Sequence, residues 1–103
     1  MAKATHHAAQ RARERIGIPR KALKANMKNA LRHGLGFDKL RGPVRSYVAS
    51  LYHRHYTANN IRIYKNYVYV FDRQILITVF PLPEKHRASV KEILEKTGGT
   101  HNA

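Results

Sequence analysis

His7, Arg11 and Arg15 recur at four-residue intervals in HHAAQRARERIGIP, with Glu14 beside them, while Ala8, Ala9, Ala12 and Ile16 fall on the opposite side. On a helix this spacing gathers an imidazole and two guanidiniums on one face and leaves the other face to pack. Imidazole titrates near neutrality and guanidinium stays cationic, and both properties are needed to break an RNA backbone without a metal. A base must take the proton of the 2′-hydroxyl, an acid must protonate the departing 5′-oxygen, and cations must offset charge developing on the phosphate. His7 is the candidate acid or base; His6 competes for the role, and His7 is preferred because it lies in line with Arg11. Arg11, Arg15 and Arg62 are candidates to hold the phosphate, and Thr78 to orient it. The competing reading is a solvated basic face on which Glu14 makes local ion pairs.

Arg62 and Thr78 belong to NNIRIYKNYVYVFDRQILITVFPLP, residues 59–83, whose alternation of aromatic and β-branched residues predicts three adjacent strands at 60–64, 67–72 and 75–80. A two-residue hairpin loop at Lys65 and Asn66 sets Tyr64 opposite Tyr67, Ile63 opposite Val68, Arg62 opposite Tyr69 and Ile61 opposite Val70. Ile61, Ile63, Val68 and Val70 then share the core face, and Arg62, Tyr64, Tyr67, Tyr69 and Phe71 share the other. An even second loop places Ile77 and Val79 on the core face and Thr78 opposite Tyr69. The resulting row of Arg62, Tyr69 and Thr78 on an open sheet face suits single-stranded nucleic acid: guanidinium for phosphate, phenol for stacking, hydroxyl for hydrogen bonding. Tyr64, Tyr67, Arg13, Arg15 and Lys24 extend the expected binding set. Tyrosine and threonine on a helix-covered face are the alternative.

The elements that must position these residues are legible from caps and breakers. Thr5 predicts the start of a helix ending near Ile16, before Gly17. Pro19 opens a second helix running to Gly34 with Leu23, Met27, Ala30 and Leu31 on one stripe, and Pro43 opens a third with Val44, Val48 and Leu51 inward. A short helix over 85–96 turns Val90, Ile93 and Leu94 inward. The fold class is α+β: N-terminal helices on a three-stranded or slightly larger antiparallel sheet, then a short C-terminal helix. Residues 1–103 form one domain, with a basic helical part at 6–57, a meander at 58–83, and flexible ends at 1–5 and 97–103.

Charge points to the partner. The 103 residues carry 20 Lys and Arg against 6 Asp and Glu, a net +14, of which residues 1–57 hold +11. Such a chain repels itself, and a polyanion relieves the repulsion, so RNA or another nucleic acid is the expected partner. The absence of cysteine removes disulfide and thiolate chemistry. The histidine pairs at 6 and 7 and at 53 and 55 lack helical metal-ligand spacing and nearby acids, so no metal is expected, and no phosphate-binding glycine loop implies a cofactor. "HRH" at 53–55, between Tyr52 and Tyr56, reads as imidazoles meeting the last carbonyls of a helix. No run is long and apolar enough for a bilayer, so no membrane association and a cytoplasmic location are expected, with an Arg-rich presequence as the minor alternative.

HAAQRARERIGIP, the basic helical middle, NNIRIYKNYVYVF and LITVFPLP together resemble small phage and bacterial proteins of the barnase, colicin-nuclease and RelE-type ribonuclease superfamily. The resemblance implies a compact α+β domain that cuts RNA without metal, acting as a toxin or phage effector on host RNA. By it, His7 is the helix histidine, Arg11 and Arg15 the basic residues that follow, Arg62 the strand arginine and Thr78 the last-strand hydroxyl. The strand glutamate of the barnase type has no counterpart. An inhibitor, antitoxin or ribosome is the implied protein partner, with strand 60–64 as an edge available to it. A basic nucleic-acid- or ribosome-binding protein that breaks no bond is the alternative function.

Overall fold

The computed structural model describes residues 3–55 and 57–97. Tyr56, and the tail from residue 98 that belongs to the expected flexible end, lie outside the described residues.

Local signals account for the helices. Thr5 caps α1 (His6–Ile16), its hydroxyl oxygen accepting the Ala8 N–H at 3.0 Å, which satisfies one of the amides left open at a helix start. Gly17 ends α1 at φ 64°, a left-handed conformation that strains any residue with a Cβ. Pro19 is the N-cap of α2 (Arg20–His33), one position outside the helix it was expected to begin. Pro43 sits in the first turn of α3 (Gly42–Arg54). A 3₁₀ turn at Glu84–His86 takes up the start of the last expected helix, so α4 spans Arg87–Thr97.

Four strands form one sheet in the order β1-β4-β3-β2. The antiparallel meander of β2 (Asn60–Tyr64), β3 (Tyr67–Asp72) and β4 (Ile75–Pro81) stands where the alternation places it. Lys65 and Asn66 turn with φ 48° and 66°, the positive pair of a type I′ hairpin, and they produce the expected pairing, Arg62 opposite Tyr69 included. β1 (Lys3–Ala4) is a strand the sequence did not announce, parallel to β4. Sequence alone places this segment in a flexible end. Instead Lys3 N–H donates to the Gln74 carbonyl at 3.0 Å and Thr5 N–H to that of Leu76 at 3.1 Å.

Helices cover both faces of the sheet. Ile61, Ile63, Val68 and Val70 pack with Val44, Val48 and Leu51 of α3 and Val90 of α4. The aromatic face, expected to be open, is a second core: Tyr64, Tyr69 and Phe71 pack with Ala8 and Ala12 of α1 and with Leu23, Met27 and Ala30 of α2. Tyr69 is 1% exposed and Phe71 0%. Ala8 and Ala12 make this possible, because methyl side chains let the α1 backbone approach large rings closely.

The second hairpin overturns the expected row. Its loop, Arg73 and Gln74, has the even length expected, with Asp72 opposite Ile75 and Phe71 opposite Leu76. The next pair is Val70 with Thr78, so Ile77 is an extra residue in β4, a β-bulge. Beyond it every side chain changes face. Val79 joins Tyr69 beneath α1 and α2, while Thr78 shares the Val70 face with Phe80. Arg62, Tyr69 and Thr78 therefore form no row. Among the described residues no helix is long and apolar enough to cross a membrane.

Candidate nucleic-acid interface

β1 pairs with β4 only at Ile75 and Leu76, and from Ile77 to Pro81 no described strand covers the outer edge of β4. A groove of about 620 Å³ follows this open edge, between α1 and the end of α3. α1 contributes His7 and Arg15, the end of α3 contributes Arg54 and His55, and β4 contributes Thr78. Tyr47, Ile77 and Phe80 supply apolar wall, and among the described residues no carboxylate lines it. The helical spacing that set His7 and Arg15 on one face of α1 aims that face at the groove, while Ala8 and Ala12 hold the opposite side against the sheet. The bulge at Ile77 delivers Thr78. Arg54 occupies the last turn of α3, where the carbonyl ends of the helix favour a cation.

Two details bear on chemistry. Arg11 Nε donates to His7 Nε2 at 3.2 Å, so in this arrangement Nε2 presents its lone pair and the imidazole proton sits on Nδ1. Thr78 is 8% exposed, and its hydroxyl has no hydrogen-bond partner among the described residues. A buried hydroxyl without a partner is costly, and a ligand oxygen in the groove would satisfy it. Tyr47 lies against the buried His86 with 4.9 Å between ring centroids and the planes tilted by 32°. Burial raises the Tyr47 phenol, with the Arg54 charge pulling the other way, so the ring enters the groove as a neutral hydrogen-bonding wall.

The structure brings His7, Arg15 and Thr78 together, with Arg11 bonded to His7, and leaves Arg62 elsewhere. Arg62 stands on β2, two strands from β4 and so roughly 10 Å away across the sheet. Its Nε donates to Asn60 Oδ1 at 2.8 Å and its Nη1 to the Gly34 carbonyl at 3.1 Å. This guanidinium ties the end of α2 to the sheet. Gly34 is small for the same junction, since a Cβ there would run into the Ala30 carbonyl oxygen and lie 3.0 Å from Arg62 Cβ.

Tyr64 and Tyr69 are buried and Tyr67 is half-buried, so none offers the open stacking face expected of it. Burial, with the Tyr64 and Tyr67 phenols adding to it, pushes the Tyr69 phenol up to about 12. Arg13 and Lys24 are exposed but do not line the groove. Strand 60–64 is also not the free edge it was expected to be. Leu35 exchanges backbone bonds with Ile63 at 2.9 and 3.1 Å, and the Tyr52 hydroxyl accepts the Ile61 N–H at 2.8 Å. Arg54 and His55 are the residues that sequence reasoning missed. Their only local signal is a basic helix end, which capping explains equally well.

No family model, curated protein or solved structure matches this chain. Among the described residues no three His, Asp or Glu side chains gather as metal ligands.

Proposed function

We propose that the protein binds RNA in the groove on the open edge of β4 and cuts it there by a metal-independent transesterification. The observation that carries this reading is the lining: His7, His55, Arg15, Arg54 and the unpartnered Thr78 hydroxyl face one groove with no acid among them. Arg15 and Arg54 hold the scissile phosphate from opposite walls and offset its developing charge. Arg11 turns to the incoming phosphate and frees the lone pair of His7 Nε2. That nitrogen takes the 2′-hydroxyl proton, the 2′-oxygen attacks phosphorus, and protonated His55 gives its proton to the departing 5′-oxygen. The products are a 2′,3′-cyclic phosphate and a 5′-hydroxyl. Thr78 donates to a phosphate oxygen, and the Tyr47 and Phe80 wall takes the flanking base.

The test is cleavage of a fluorescent single-stranded RNA in excess EDTA, with a 2′-deoxy strand as control. His7→Ala and His55→Ala are each expected to slow cutting by at least about a hundredfold while binding is retained. Thr78→Val, which keeps the shape and removes the hydroxyl, is expected to slow it by about tenfold with folding stability unchanged or raised. Salt-sensitive binding with no product from any version would replace this reading with that of a non-catalytic RNA-binding protein.

A further inference from the structure

A second recess lies on the other flank of α1. Where β1, α1 and α2 meet lies a cleft of about 320 Å³, its apolar floor made by the half-buried Ala4 and Ala9 over the buried Leu23 and Met27. Lys3, Arg20 and Lys24 stand on its rim, all three exposed. An apolar floor under a cationic rim fits a ligand that is flat and apolar at one end and anionic at the other. The cations continue beyond the rim. At 100° per residue, Lys21, Lys24, Lys28 and Arg32 fall within an arc of about 80° on α2, the last three about 6 Å apart along the axis. α2 contains no acidic residue, and among the described residues the only ion pair is Lys96 with Glu92, on α4. No described residue therefore neutralises the row.

We infer that this flank is a second binding site for single-stranded RNA, separate from the β4 groove and dependent on RNA being the ligand proposed there. One unstacked base lies on the half-buried Ala4 and Ala9 and along the aliphatic stems of Arg20 and Lys24, above the buried Leu23 and Met27. Its phosphate is held by Lys3, Arg20 and Lys24, and Lys28 and Arg32 take the phosphates that follow. Single-stranded RNA fits the cleft because a duplex keeps its bases stacked and has none to place on the cleft floor. Charge complementarity selects a polyanion, and the apolar floor selects an exposed base. The burial of the tyrosine face leaves this cleft, rather than the sheet, as the base platform on the α1 and α2 side.

The experiment measures anisotropy of a labelled 2′-O-methyl RNA, which lacks the attacking hydroxyl, against salt concentration. Wild type is compared with the triple variant Arg20→Gln, Lys24→Gln, Lys28→Gln, and with Ala9→Leu, which fills the cleft and keeps every cation. The triple variant is expected to bind about tenfold or more weakly, with the slope of log affinity against log salt reduced by about 2, the value for three lost phosphate contacts on a single strand. Ala9→Leu is expected to weaken binding of the ordinary strand and leave that of an abasic strand unchanged. If wild type binds and the triple variant matches it in affinity and slope, the site is overturned and the groove reading survives. Equal weakening of duplex RNA, with Ala9→Leu silent, overturns the base platform. If wild type binds no RNA, both readings fall together.

Discussion

A guanidinium tied by two hydrogen bonds to its own scaffold is not free to close on a phosphate. Arg62 is such a residue, bonded to Asn60 and to the carbonyl at the end of α2. Arg62→Ala should cost about 1–2 kcal/mol of stability, after discounting for its partial exposure. Denaturant unfolding checks this, alongside cleavage normalised to folded protein, which should be unchanged; a selective loss of cleavage would return Arg62 to the site. His86 gives a second prediction. Burial, with the charge of Lys85 added, lowers its pKa below the ordinary 6.5. The folded state therefore binds this proton less readily than the unfolded state. Its contribution is present above pH 6.5 and is lost as pH falls from there to the lowered folded value. Unfolding measured across that window should show a decline toward acid that is smaller in His86→Phe, where the ring against Tyr47 remains and the titration does not.

At the scale of elements, the β2–β3 hairpin forms without glycine. Lys65 and Asn66 both sit at positive φ, which costs roughly 1 kcal/mol for a residue such as lysine. Lys65 Nζ lies 5.5 Å from the centre of the Tyr64 ring, and the Asn66 carbonyl accepts the Leu82 N–H at 2.9 Å, contacts that offset part of the strain. Lys65→Asn combined with Asn66→Gly should raise stability by about 1 kcal/mol, read as a shift in denaturant midpoint at constant slope. A decrease would mean that the Lys65 ring contact outweighs the strain. The second hairpin shows why side-chain alternation has limited reach. Parity from a loop predicts faces only until an extra residue intervenes, and Ile77 is apolar like Leu76 and β-branched like Thr78. Nothing in LITVF marks it as the bulge. Packing decides it: with Leu76 and Val79 both seated beneath α1 and α2, one residue between them must leave the alternation.

For the whole molecule, +14 on 103 residues is a burden that the described residues hardly relieve, with one exposed ion pair among them. Added sodium chloride should therefore raise the melting temperature of the free protein by screening repulsion, and over the same range should weaken RNA binding. A melting temperature that falls with salt would show that the charge is not what limits stability. The sequence by itself determined what local physics sets: the helix caps at Thr5 and Gly17, the positions of the three meander strands, the first hairpin register and the excess of cations. Those features depend on residues a few positions apart. Tertiary structure alone decided that the aromatic sheet face is covered rather than open, because an alanine face on α1 gives a weak hydrophobic signal yet permits close packing on Tyr69 and Phe71. It alone joined His7 and Arg15 to Arg54, His55 and Thr78, since these meet only where α1 and α3 flank the edge that β1 leaves uncovered. A groove assembled from three elements distant in sequence has no spacing to read.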